Sequence, residues 1–210
     1  RYAVSQGRLK LALVLPDNQS GINMFKAAMN AAQLHGASII KVGFYTPNSM
    51  DFTKLAAQIT GSARVAISQR KSKPAEKNSL KTEEELAPLD FDALLVPEFG
   101  NRLKSITSMF SYYDVSAPEV LFLGTSVWGN TNLSKETELY GAVYPIMPMS
   151  RLARYKQKYS EMFGQKSNDL SIFAYDAVAL SSALSHKDKD HLKESITNLD
   201  GFYGMSGAFR

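Results

Sequence analysis

Residues 91–129 read FDALLVPEFGNRLKSITSMFSYYDVSAPEVLFLGTSVWG, and this run limits the folds open to the chain more than any other. It opens on a nearly continuous apolar segment, 91–96, of the kind that suits a strand buried on both faces of a sheet. Pro97 and Gly100 break it, and Leu103, Ile106, Phe110 and Tyr113 follow at helical spacings. Pro118 stops that helix, and 120–123 supply a second buried strand ending at Gly124. Two such strands joined by a helix form a β-α-β unit, which implies parallel pairing and a right-handed crossover. Functional groups in sheets of this kind gather in the loops beyond the strands' carboxyl ends. Here those loops are 97–100 and 124–129.

The alternation continues upstream. Residues 9–15, LKLALVL, read as the first strand, and 16–21, PDNQSG, as a turn in which Asn18 or Ser20 caps the next helix. Ile22, Phe25, Met29 and Ala32 share one face of that helix, and Gly36 ends it. A second strand spans 39–44, followed by a helix from about Asp51 with Leu55 and Ile59 on its buried side. Residues 61–74 read as either a resumed helix or a short strand at 64–67, with helix preferred. The polar, charged stretch 72–81 has no apolar period and reads as disordered.

Downstream, 133–139 suggests a short helix and 141–146 a fifth strand. Everything after that is helical in pattern. Leu152, Tyr155, Tyr159, Met162 and Phe163 form one face before Gly164. Phe173, Ala177, Leu180 and Leu184 form a second, capped by Asp169, and Leu192, Ile196 and Leu199 a third. The glycine-rich end, 201–210, reads as irregular. An α/β region is thus followed by helices with wide apolar faces and no sheet of their own, and such faces need something to cover.

Composition removes several function classes. The net charge is +4, but the densest basic segment, 70–74, lacks aromatic residues and runs into Glu83, Glu84 and Glu85. That is a solvated loop rather than a nucleic-acid interface. No cysteine is present, so disulfides and thiolate metal sites are excluded. His35, His186 and His191 have no metal-ligand spacing, and no phosphate loop occurs, so neither metal nor cofactor is expected. No apolar run approaches the ~18 residues of a membrane span. The chain begins at Arg1 rather than Met and is expected to be mature, trimmed or a fragment that has lost an export signal.

Two readings of the strand-end loops remain. Gly124-Thr125-Ser126-Val127-Trp128 nearly spells the nucleophile elbow of serine hydrolases, but a bulky Trp stands where the tight turn needs a small residue. The alternative is a binding rim in which Asp17, Asn18, Tyr45, Thr46, Glu98, Phe99, Thr125, Ser126 and Trp128 hydrogen-bond and stack on a ligand without transforming it. Each of these residues reads equally well as ordinary turn or packing chemistry, Trp128 as plain packing. The binding reading is preferred, and the protein is not expected to be an enzyme.

Taken together, PDNQSG, Asp51-Phe52, Phe91-Asp92-Ala93, Leu123-Gly124-Thr125 with Trp128, Tyr175-Asp176-Ala177-Val178 and Gly201-Phe202 before Gly204 resemble periplasmic type I solute-binding proteins. These are the leucine/isoleucine/valine-binding class, and the pattern most resembles their bacterial branch of penicillin-binding-protein activators. The resemblance implies an α/β, parallel-sheet lobe of a periplasmic-binding-protein-like type I fold with a helical return segment. Residues 8–148 would be the second of two lobes and 149–210 the helices returning toward a first lobe absent from this chain. It implies a non-enzymatic periplasmic module that receives a small solute such as an amino acid in transport, or activates cell-wall synthesis. The implied partners are a small-molecule ligand or a peptidoglycan synthase, with a homodimer or a retained N-terminal lobe covering the helices, and a lipid anchor upstream. In the amino-acid-binding members that the chain resembles, the loop after the F-L-G strand carries an acidic residue that holds the ligand's ammonium; Ser126 stands at the matching place in this sequence. Losing that contact costs about 1.5–3 kcal/mol, which disfavours a zwitterionic amino acid.

Overall fold

The apolar runs become a parallel sheet. In the computed structural model, which describes residues 1–61, 88–168, 170–185, 189–197 and 201–209, β1 (Lys10–Pro16), β2 (Ser38–Tyr45), β3 (Ala93–Leu95) and β4 (Leu121–Leu123) stand in the order β2-β1-β3-β4. Every pairing is parallel, with Leu13 opposite both Val42 and Leu95, and Leu95 opposite Leu123. Position in the sheet explains the sequence patterns. Central β1 buries residues 12–16 without interruption, whereas edge strand β2 alternates between covered and open positions. At the amino edge the Asp92 carboxylate accepts the Leu9 and Lys10 N–H groups at 3.1 and 3.0 Å, which pins the start of β1 against the chain leading into β3.

A short helix, α1 (Tyr2–Ser5), precedes the sheet. Helix α2 (Gln19–His35) connects β1 to β2, α3 (Thr53–Thr60) follows β2, and α4 (Gly100–Tyr112) connects β3 to β4. Of the two residues expected to cap α2, Asn18 does so, its Oδ1 accepting from Gly21 N at 3.0 Å. Gly36 closes the helix at φ 71°, the left-handed conformation that a side chain would strain. Alternate strand residues face opposite ways. Ala12, Val14, Leu94, Val96 and Phe122 join Leu55, Ile59, Leu103, Ile106 and Phe110 in the main core. Leu13, Leu95 and Leu123 instead line, with Ala28 and Ala32 of α2, a groove of about 710 Å³.

Three expectations are corrected. The fifth strand at 141–146 shrinks to one parallel bridge between Leu123 and Val143, because Gly141 sits at φ 77° and Pro145 has no N–H to donate. The helix expected at 133–139 is only a 3-10 turn, Thr137–Leu139. Asn132 Oδ1 accepts from both Ser134 N and Ser134 Oγ, a local turn that competes with helix. The expectations for 64–67 and 72–81, the Asp169 cap, His186 and Leu199 lie outside the described residues.

The second compact unit, Ile146–Arg210, follows the first, Arg1–Pro145. It contains α5 (Met149–Phe163), α6 (Ser171–Leu184) and α7 (Lys189–Ile196). The end expected to be irregular is the third correction: β5 (Phe202–Tyr203) and β6 (Ala208–Phe209) form an antiparallel hairpin. Its turn closes around Asp176, whose carboxylate accepts from Met205 N, Ser206 N and Ser206 Oγ at 2.8, 2.7 and 2.6 Å. Gly204 is required beside it, since a Cβ there would overlap the Asp176 carboxyl group. Arg151 supports the same turn, donating to the Gly204 carbonyl at 2.8 Å and lying 4.7 Å from the centre of the Tyr203 ring. The side of α6 that this unit buries runs through Ile172, Asp176 and Leu184, while Phe173 and Val178 stay 51% and 70% exposed.

Candidate functional site

Because the four strands are parallel, the loops after them leave from one edge of the sheet. From β1 the chain steps outward to β2 on one side, and β3 then lies on the other. The crevice between β1 and β3 is therefore the topological switch point, where sheets of this kind bind ligands. The loops beginning at Asp17 and Pro97 flank it, with those after Tyr45 and Leu123 on either side.

These loops are bound to one another by polar contacts, two of them buried and the rest partly so. The Tyr45 hydroxyl donates to Glu98 Oε1 at 2.8 Å, and Arg102 Nε donates to Glu98 Oε2 at 3.0 Å. Phe99 N reaches the same oxygen at 3.4 Å, and a second arm of the Arg102 guanidinium donates to the Pro47 carbonyl. Asp17 N donates to the Tyr45 carbonyl at 2.7 Å. On the far side, Trp128 Nε1 donates to the Val96 carbonyl and Gly100 N to Thr131 Oγ1, both at 2.9 Å. All four loops are thus cross-linked. Burial, then the hydrogen bond from its hydroxyl to Glu98 and the charge there, push the Tyr45 phenol far above its ordinary range, opposed only in part by Arg102.

The sequence-predicted residues divide by exposure. Asp17, Asn18, Phe99 and Ser126 face solvent, and Thr125 is half-buried. Tyr45 and Glu98 are buried and engaged with each other. Asn18 already serves α2 as its cap. Trp128, expected on the rim, is 1% exposed and part of the main core. The 3-10 turn Ser126–Asn130 carries it back beneath the sheet edge, where its indole occupies the space left by the missing side chain of Gly124. Its ring lies 5.9 Å from that of Tyr144. Arg102 and Thr131 were not foreseen. The first was findable: Glu98 and Arg102 stand four apart, acid first, the spacing at which a helix brings such side chains together. Thr131 has no comparable sequence signal.

Among the described residues of the first compact unit, the histidine is not placed beside Ser126. His35 ends α2, which starts at the carboxyl edge and returns to the amino edge, so it lies across the sheet from Ser126. Among the described residues no group of three or more His, Cys, Asp or Glu side chains is arranged to hold a metal ion, and no helix is long and apolar enough to cross a membrane.

No protein-family model matches the sequence, and no curated protein matches it. Solved structures do match the fold. One, from Rhodospirillum rubrum and assigned as a branched-chain amino acid ABC transporter, superposes over 100% of this chain at a TM-score of 0.65 and 12% identity, with 55% of its own length covered. A leucine-binding protein from Thermotoga maritima matches 98% of this chain at 0.55 and 14%, with 54% of its length covered. The solute-binding protein of an ABC transporter from R. palustris, in complex with benzoate, matches 100% at 0.51 and 12%, with 53% covered. The fold is therefore that of the type I periplasmic-binding-protein-like class, with a parallel α/β sheet as the motifs implied. The chain spans about half the length of these structures.

Proposed function

We propose that this chain is the second lobe and returning helices of a non-enzymatic, periplasmic solute-binding protein, and that its ligand sits on the carboxyl edge of the sheet. The observation that carries the reading is the cross-linked rim around the β1/β3 switch point. Such a rim is preorganised, so little ordering entropy is lost when a ligand arrives. Asp17, Phe99, Thr125 and Ser126 remain open to contact a solute there. The fold neighbours support a small-molecule ligand: one is named as leucine-binding and another holds benzoate. With Ser126 uncharged and Glu98 already engaged, exposed Asp17 is the one carboxylate among these open residues left for a ligand's ammonium, so the rim does not demand a free amino acid and admits a small organic acid.

The finer reading, activation of cell-wall synthesis from a lipid-anchored position, rests on the sequence motifs alone. A thermal-shift screen against aromatic carboxylates, aliphatic amino acids and peptidoglycan fragments separates the two. A ligand at 100 times its Kd adds about 2.7 kcal/mol of stability. Stabilisation by a free carboxylate is the expected result. Stabilisation by peptidoglycan fragments alone would favour the cell-wall role, and no shift with any compound would overturn solute binding.

A further inference from the structure

The buried carboxylate of the rim is fully committed, and one residue outside the foreseen set commits it. Glu98 is 7% exposed. Oε1 takes the Tyr45 hydroxyl, and Oε2 takes both Arg102 Nε and Phe99 N. Among the described residues Arg102 is the one cation within ion-pairing distance of Glu98. Arg102 is itself fixed at both ends, by Glu98 at its Nε and by the Pro47 carbonyl at its terminal nitrogen. The planar guanidinium allows this double engagement, with two N–H directions held in one rigid fork. Glu98 is also the carboxylate of a loop that flanks the switch point, where sheets of this kind bind ligands.

We propose that Arg102 is a positioning residue that tunes ligand preference at this rim: by holding the Glu98 carboxylate inward against Tyr45, it withholds that carboxylate from a ligand's ammonium and so lowers the rim's preference for ammonium-bearing solutes. The proposal rests on the solute-binding reading above and names a residue that tunes its chemistry. Without the guanidinium, Glu98 keeps only Tyr45 and a long backbone contact. A buried carboxylate without a cationic partner is costly, and the relief is to turn outward, where it meets whatever occupies the crevice.

The test compares benzoate and leucine as probes by ligand-observed NMR, which detects weak binding, on the 210-residue chain. The wild type should bind benzoate the more tightly. In Arg102→Gln the leucine-to-benzoate affinity ratio should rise about tenfold, the equivalent of ~1.4 kcal/mol. Arg102→Lys, which restores a cation without the fork, should recover part of the original preference. A merely structural arginine would weaken both probes together and leave the ratio unmoved. An unchanged ratio in a folded Arg102→Gln therefore overturns the proposal alone. Failure of both probes to bind any form overturns the solute-binding reading and this proposal with it. Should Arg102→Gln not fold, Tyr45→Phe frees Oε1 of the same carboxylate. The ratio should move in the same direction, and an unmoved ratio again refutes the assignment.

Discussion

Among the described residues each compact unit buries one carboxylate, and the two are used in opposite ways. Glu98 sits at the edge of an already complete apolar core and ties together side chains from loops far apart in sequence. Asp176 sits inside a helix and holds the backbone of a hairpin turn that has few other anchors. The sheet unit is held by its core, and its polar network shapes a rim. The helical unit leaves Met162, Phe173 and Val178 at 75%, 51% and 70% exposure, and its carboxylate organises its fold. A buried charge thus shapes a site where the core is sufficient, and stands in for core where it is not.

The contrast is measurable because the chain has a single tryptophan, Trp128, buried in the sheet unit. Its fluorescence reports that unit alone, while far-UV circular dichroism reports both. Phe110→Ala, deleting a ring with 0% exposure from the main core, should give the largest effect. A loss of about 3–5 kcal/mol is expected in urea unfolding followed by Trp128 fluorescence. A loss below ~1 kcal/mol would show that the sheet unit does not depend on its core as described.

Asp176→Ala comes next, at about 2–4 kcal/mol, since it strands two backbone N–H groups and a hydroxyl. The change should appear in the dichroism and leave the tryptophan midpoint in place. Burial acts to raise the Asp176 pKa, but the hydrogen bonds from Ser206 and Met205 and the charge of Arg151 together hold it below the ordinary aspartate value. A group with a lowered folded pKa adds stability above its unfolded pKa and loses it as pH falls through the folded one. The helical unit should therefore weaken below the ordinary aspartate range, and Asp176→Asn should flatten that acid limb. An unchanged acid limb in Asp176→Asn would remove the carboxylate from its proposed role.

The smallest effect is expected from Phe173→Ser. An aromatic ring lost from a helix should matter greatly if the chain itself buried it, but at 51% exposure the change should stay within about 0.5 kcal/mol. A larger loss would mean that this face is covered in solution, and light scattering would then show whether a second copy covers it.

Much of this molecule was legible in the residues. The apolar runs at 9–15 and 91–96, the helical spacings between them and the Asn18 and Gly36 boundaries follow from local physics, because burial on two faces, a cap and a left-handed residue each leave a short-range mark. Parallel pairing followed from the β-α-β order, and with it the shared edge of the four loops. What the tertiary structure decided depended on distance in the chain. Tyr45 and Glu98 lie 53 residues apart, and Asp176 and Ser206 lie 30 apart; no periodicity links either pair. Trp128 carries the same sequence signal whether it stacks on a ligand or fills a core, and only the empty side of Gly124 settled which. The fifth strand failed for the related reason that a strand exists only where a neighbour accepts its hydrogen bonds, and beside β4 only Val143 found one.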